Sequence, residues 1–465
     1  MKRVEVVIVG AGPAGLSAAI AAAEAGAEVL VIDEHPQPGG QIYGQTPEAF
    51  LAKSEERSYD QIDGKRLLQQ AQSLPITFLT ETTIWAIFDG RLLSILTKNK
   101  KSEIWAETLI LTTGAYERPV PFPGWTLPGV MTAGGVQRML KMQWVLPGKS
   151  FLLAGTGPLQ LVLANKLIAG GARVLGIADA SSWRNSWRFL PDMLNEPRVL
   201  FQGMAYLWGI RKARIPLLKS HAIVRAEGRN QVERAVTADV DENWHPIPGT
   251  DRVWEVDTIC VGYGFISSVE LAILAGCQIR FEPKWGSWVP EYDQNMKTTV
   301  PSVYVAGDGA GLGGAVVAEH EGCIAGVNAA IELGYYANRT GHPAQSSYER
   351  LKSLRKFRAA LDALWQFKNG LYDVIQNDTI ICRCEEIRYA EIKEAIAAGA
   401  EHVNQIKSWT RTGMGLCQGH FCEVTVAHLL AAATGKPLEK YTVRPPVRPL
   451  PIEALVAEDD HGSCK

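Results

Sequence analysis

The apolar residues of this chain recur in short, regular blocks. Residues 4–9 form a β-branched run broken only by Glu5, which predicts a parallel strand buried on both faces. A glycine turn, an alanine-rich helical stretch over residues 16–25 and a second apolar strand over residues 28–32 follow. The same order of strand, glycine turn, helix and strand returns over residues 151–178. Two such units predict two dinucleotide-type βαβ folds. Further apolar strands close at glycines over residues 256–264 and 302–308, and helices are expected over residues 315–333 and 348–368. Residues 339–347, with Gly, Pro and Ser, read as a domain boundary. Residues 181–214 are rich in Trp, Arg and Leu. Trp183 and Trp187 fall on one face of an expected helix there, as core or as a contact with another chain.

A chain of 465 residues is too long for one core, so two or three domains are expected. The expected division is a discontinuous unit of residues 1–117 and 265–336, an inserted unit of 118–264, a linker and helix over 337–375, a small unit of 376–440 and a tail of 441–465. The net charge of -2 gives no electrostatic case for a nucleic-acid partner. No apolar run reaches the length of a bilayer, so no membrane span is expected. The N-terminal apolar segment runs into a glycine turn with no export-type cleavage site, and reads as the first strand rather than a signal peptide. Eight cysteines in a chain of this length fit a reducing, cytoplasmic compartment.

The first turn, Gly10-Ala11-Gly12-Pro13-Ala14-Gly15, has the strand, helix and acidic residue that a dinucleotide site needs. Gly10 makes the tight turn, Gly12 admits a pyrophosphate, and Gly15 lets helix and strand pack closely. The helix N-terminus offers N–H groups to the phosphates. Asp33, or alternatively Glu34, would accept hydrogen bonds from a ribose. In the second turn, Gly155 to Gln160, glutamine replaces the third glycine, which argues for a retained scaffold over a working nicotinamide site. Cys260, inside an apolar strand, is expected to be core.

Four cysteines stand apart. Cys382 and Cys384 are one residue apart, Cys417 and Cys422 four apart, so each pair can turn two thiolates to one point. A metal or iron–sulfur site leads; zinc more often uses pairs two to four apart, and disulfides or incidental buried thiols are the alternatives.

Other segments carry a family resemblance. Residues 38–43 (PGGQIY), 108–114 (TLILTTG) and 302–308 (SVYVAGD) resemble, in order, FAD-contacting segments of the two-dinucleotide-domain flavoproteins that include thioredoxin and glutathione reductases. The resemblance implies that fold and FAD, held by Gly10, Gly12, Pro13, Ala14, Gly15, Asp33, Glu34, Gly40, Gln41, Ile84, Thr113, Gly114, Gly307 and Asp308. Asp308 inherits contact with the ribityl chain. The chain departs from the disulfide reductases of that family: it has no cysteine before Cys260 and no close pair before Cys382, which excludes a flavin-adjacent dithiol.

The motif Cys382-Arg383-Cys384-Glu385, with residues 411–422 (RTGMGLCQGHFC), resembles the small helical [2Fe-2S] domain of bacterioferritin-associated ferredoxin. That implies Cys382, Cys384, Cys417 and Cys422 as the four ligands, with His420 a neighbour rather than a fifth. Together with residues 114–130 (GAYERPVPFPGWTLPGV), the chain is similar throughout to α-type subunits of amino-acid-oxidising complexes: opine oxidases, D-hydroxyproline dehydrogenase, dye-linked proline dehydrogenases and hydrogen cyanide synthase. The implied partners are a β-type FAD-containing catalytic subunit, a small γ-type iron–sulfur subunit, and an electron acceptor through which a membrane could be approached peripherally. A second nucleotide (FMN, ATP or NAD(P)) is a further option. No amine-binding catalytic residue stands out, which fits an electron-relaying role. The rival readings are a stand-alone NAD(P)H-linked reductase and a structural subunit.

Overall fold

The computed structural model describes residues 1–44, 59–182, 186–337 and 341–456. Trp183, Cys464 and the acidic end of the tail lie outside the described residues, and of the Trp187 side chain nothing is described.

The chain opens with β1 (Lys2–Val9), α1 (Pro13–Glu24) and β2 (Val29–Ile32). It continues through α2 (Tyr59–Gln72), β3 (Ile76–Leu79), β4 (Thr82–Phe88), β5 (Leu92–Thr97) and β6 (Lys100–Leu111). The strand order is β3-β2-β1-β6-β5-β4, with a late strand Val303–Val305 pairing in parallel with β6. The long β6 pairs in parallel with β1 along one edge, and on the other its first half pairs antiparallel with β5 and its second half in parallel with the late strand. Val6, Val7 and Ile8 are fully buried, as the unbroken run demands.

The helix α1 needs its alanines because a helix from 300 residues later lies on it. Side chains at Gly322 and Gly326 would overlap the carbonyls of Ala14 and Ala18, so the two backbones touch without intervening side chains. That late helix, Ala315–Glu332, thus brings its N-terminus beside the first glycine turn.

The short strands Ala115–Glu117 and Phe265–Ser267 pair as an antiparallel ribbon where the chain leaves and re-enters the first unit. Between them lies a five-stranded parallel sheet of Val130–Thr132, Ser150–Gly155, Arg173–Asp179, Leu217–Lys219 and Thr258–Gly262, with a separate three-stranded antiparallel sheet. In the Trp-rich segment, the helix Pro197–Lys212 turns Phe201, Met204 and Trp208 outward, 68%, 56% and 65% exposed. At spacings of three and four they share one face, which favours a contact surface over a core stripe.

The last unit has a hairpin of Ile380–Cys382 and Ile387–Arg388 and three helices: Tyr389–Ala397, Val403–Thr410 and Glu423–Thr434. Its core is continuous with Ile266, Val269 and Trp288 of the first unit, so it is docked rather than tethered. Among the described residues no helix is long and apolar enough to cross a membrane.

Candidate functional site

The first glycine turn is built as expected. Gly10 has φ +101, and a Cβ there would lie 2.5 Å from the Thr112 carbonyl oxygen, while one at Gly15 would overlap the Gly10 carbonyl. Gly12 differs. Its φ of -76 suits any residue and the nearest protein atom to a Cβ is 3.9 Å away. Packing therefore does not require glycine at position 12, whereas a pyrophosphate approaching the start of α1 at Pro13 and Ala14 does. Gly40 lies against Gly12, with 2.9 Å between an added Cβ and the Gly12 Cα, and the amide of the adjacent Gly39 donates to Ala11 at 2.8 Å. The neighbouring Gln41 accepts from Arg138 at 3.2 Å.

Asp33 sits at the end of β2. Its Oδ2 accepts from the Ala11 amide at 2.6 Å and its Oδ1 from the His35 amide at 2.7 Å. Burial opposes its charge, yet the bonds from His35 and Ala11 outweigh that and hold the carboxyl below its usual range. Asp33 thus shapes the glycine turn in addition to any ribose contact. Glu34 is exposed, with Arg448 at 3.7 Å. The Ile84 side chain is in the core with Leu30 and Ile32, so only its backbone can face a nucleotide.

Thr113 donates to the Ser268 carbonyl at 2.6 Å, and the Gly114 carbonyl accepts from the Ser268 amide at 3.0 Å. A Cβ at Gly114 would meet nothing within 4 Å. Gly307 packs on Ala14 and donates to Glu321 at 2.9 Å, and Asp308 accepts from the Gly313 and Gly314 amides at 2.9 Å through Oδ1 alone. Asp33, Gly40 and Gly307 thus pack against the first glycine turn, and a Cβ at Gly12 or Gly114 would meet open space.

The second glycine turn is closed by its own chain. Gln160 is buried, and its amide lies 3.3 Å from the Ala154 carbonyl and 3.4 Å from that of Gly262, filling the strand–helix junction. Asp179, the ribose position of this unit, is held by Lys219 at 2.6 Å. The indole of Trp365 lies 4.0 Å from where a Gly157 Cβ would be. Of these residues only Gln160 stands out in the sequence, as the replacement of the third glycine.

The four cysteines meet as two pairs. Cys422 lies beside Cys382, and Cys417 beside Cys384. Among the described residues, no group of three or more such side chains closes around a single ion. Two facing pairs suit a two-iron cluster better than a one-metal tetrahedron. The Cys382 thiol is drawn down to about 6, first by the Cys422 thiol and then by the amides of Gly413, Glu385 and Cys384. Of these, the Gly413 amide donates to Cys382 Sγ at 3.4 Å. Amides aimed at a sulfur favour its thiolate, the form that binds iron. Cys382 and Cys422 are buried, whereas Cys384 is exposed and packs on Gly415, which precedes Leu416, itself 78% exposed. Cys260 and Cys277 are buried and free, the former in the core of the parallel sheet.

The cysteine loop touches the flavin cradle. His420 donates toward the Cys417 carbonyl through Nδ1 at 2.6 Å, its ring packs edge-on to Tyr116 at 4.6 Å, and its Nε2 is 3.7 Å from Glu270. Tyr116 follows Gly114 on the ribbon, and Glu270 follows Ser268. Burial pushes the Glu270 carboxyl up, but Lys440 and His420 outweigh it and leave it below the usual range. Lys440 lies 3.5 Å from Glu270 and 2.5 Å from Glu423, joining the tail, the cysteine unit and the first unit. No local pattern marks Tyr116, Glu270 or Lys440, because their significance lies in contacts across the whole chain.

The chain matches the family described as pyridine nucleotide-disulphide oxidoreductase over residues 4–332, and the BFD-like [2Fe-2S] binding domain over residues 380–432. It is 34% identical to the A component of opine oxidase from Rhizobium meliloti, over 97% of this chain and 87% of that one. It is 32% identical to the HcnB component of hydrogen cyanide synthase from Pseudomonas aeruginosa, over 97% of each. The crystal structure of L-proline dehydrogenase from P. horikoshii has the same fold, with a TM-score of 0.70 at 20% identity over 98% of this chain and 80% of that one. The first family implies FAD and the second a [2Fe-2S] cluster. The chain belongs to the pyridine nucleotide-disulphide oxidoreductase family of flavoproteins, carries a C-terminal BFD-like [2Fe-2S] binding domain, and is a relative of the A components of opine oxidases.

Proposed function

We propose that this chain is the α-type subunit of a dehydrogenase complex for an amino acid or secondary amine of the proline, hydroxyproline, opine or glycine type, relaying electrons from FAD to a [2Fe-2S] cluster. A β-type partner with its own FAD oxidises the C–N bond of the substrate. When bound, FAD exchanges two electrons or one, and the cluster carries one at a time. Gly12, Gly40, Gly114, Gly307 and Asp308, with Asp33 shaping the turn, hold the flavin, and Cys382, Cys384, Cys417 and Cys422 hold the cluster.

The observation that carries this reading is the contact of His420, lying between two of the cysteines, with Tyr116 beside Gly114. It makes the cysteine loop and the flavin cradle neighbours within one chain. The exposed edge at Cys384 and Leu416 is the natural exit, and the outward face of Phe201, Met204 and Trp208 fits a partner subunit. The filled second turn, with Gln160, Lys219 and Trp365 in place, argues against the stand-alone NAD(P)H reductase.

The test is flavin bleaching by NAD(P)H and by proline, hydroxyproline, opines or glycine, for the chain alone and with its β-type partner. Bleaching by an amine only with the partner is expected. Bleaching by NAD(P)H without it would overturn the reading, and no bleaching under any condition would favour a structural role.

A further inference from the structure

Tyr441 lies beyond residue 432, where the BFD-like match ends, and beyond the boundary at 440 expected from sequence. Its side chain is nevertheless 5% exposed, inside the core that contains Cys382 and Cys422. The segment carrying it is strapped down: Glu439 bonds His402 at 2.9 Å, the Tyr441 amide donates to Glu423 at 2.6 Å, and Asn404 donates to Thr442 at 2.8 Å.

The cysteine loop is shaped around this ring. A Cβ at Gly413 would lie 2.6 Å from the Tyr441 ring, and one at Gly419 would lie 3.1 Å from it. Gly413 is the residue whose amide faces Cys382, and Gly419 lies between Cys417 and Cys422. One ring therefore braces both turns that present the cysteines. Its hydroxyl is buried without a well-formed hydrogen bond, and the groups that face it are Cys422, Glu423 and Cys382. Leaving a buried hydroxyl unsatisfied is destabilising. A neutral thiol is a poor acceptor, whereas a thiolate is a good one.

We propose that Tyr441 is a positioning residue of the iron–sulfur site: its ring braces the Gly413 and Gly419 turns, and its hydroxyl donates to the Cys422 thiolate when the cluster is bound, raising the reduction potential. The inference rests on the four cysteines being the cluster ligands. The reduced cluster carries one more negative charge, so a donor to a ligand sulfur favours it over the oxidised form.

The test compares the full chain with reconstituted cluster as wild type, Tyr441→Phe, Tyr441→Ala and a chain carrying 3-fluorotyrosine at 441. Readouts are iron content, visible absorbance and an EPR-monitored redox titration. Tyr441→Phe keeps the ring, so the expected result is wild-type iron content with the reduced-to-oxidised ratio at fixed potential lowered about tenfold, or about 59 mV for one electron. Tyr441→Ala is expected to lose most of the iron. Fluorotyrosine, a stronger donor of nearly the same shape, is expected to raise the potential.

An unchanged potential in Tyr441→Phe would overturn the hydroxyl's role, and full iron content in Tyr441→Ala would overturn the brace. If Tyr441→Phe loses its iron, the fluorinated chain decides, and an unshifted potential there overturns the proposal. A wild-type chain that never shows a [2Fe-2S] spectrum would overturn the ligand reading itself, and this inference with it.

Discussion

The two glycines at the start of α1 separate folding from cofactor binding, because they are glycine for different reasons. In Gly15→Ala the new methyl overlaps the Gly10 carbonyl and lies 2.8 Å from Thr112 Oγ1, so the helix must move off the strand. Overpacking of that kind costs about 1–3 kcal/mol, or about 2–12 °C in Tm at about 2–4 °C per kcal/mol. In Gly12→Ala the backbone is already in a region open to alanine and the nearest atom is 3.9 Å away. The entropy gain of about 0.4–1 kcal/mol from replacing glycine is offset by the poorer N-cap, so the apoprotein melts within about 2 °C of wild type. The methyl instead stands where the pyrophosphate must approach. Losing one charge-assisted hydrogen bond, about 1.5–3 kcal/mol, weakens FAD by about 10- to 150-fold. Flavin fluorescence titration of the apoprotein and circular-dichroism melting measure both effects. Unchanged FAD affinity in Gly12→Ala would refute the placement of the pyrophosphate.

Three further predictions follow from buried or outward-facing groups. Lys440→Met leaves Glu270 and Glu423 buried without their cation, and is expected to lower stability by about 3–5 kcal/mol and loosen the cysteine unit, read as faster limited proteolysis near residue 375. Burial raises the Glu321 carboxyl from 4.5 to about 8, so between those values the folded chain binds more protons than the unfolded one. Its contribution is fully present below pH about 4.5 and is lost as pH rises through about 8; Glu321→Gln should melt higher than wild type at pH 9 and lack this slope. Replacing Phe201 and Trp208 by serine removes the outward apolar face and is expected to weaken association with a β-type partner at least tenfold, by sedimentation or light scattering, without changing flavin content.

Local features were legible in the sequence, and long-range contacts were not. The glycine turns announce themselves because strand, turn and helix are contiguous, and the four cysteines because their spacing is unusual. Asp33 was legible as an acid at the end of β2, but its bonds to Ala11 and His35 depend on how the loop folds back. Gln160 was legible as a misfit, yet its hydrogen-bond partner Gly262 is 102 residues away. Trp365 over Gly157, His420 against Tyr116 and Tyr441 behind Gly413 join segments that no periodicity links. The boundary expected at 440 sets Tyr441 outside the cysteine unit, whereas its side chain lies in that unit's core and Lys440 pairs with Glu423 beside it.

On the proposed function, flavin and cluster exchange electrons within this chain. Stepwise reductive titration of the full chain, following flavin absorbance and the EPR signal of the reduced cluster together, tests it most directly. Single-electron equivalents are expected to distribute between flavin and cluster in the wild type, and the cluster signal to disappear in Cys417→Ser while FAD stays bound. A cluster that remains oxidised beside fully reduced flavin, at ambient potentials below its own midpoint, would contradict it.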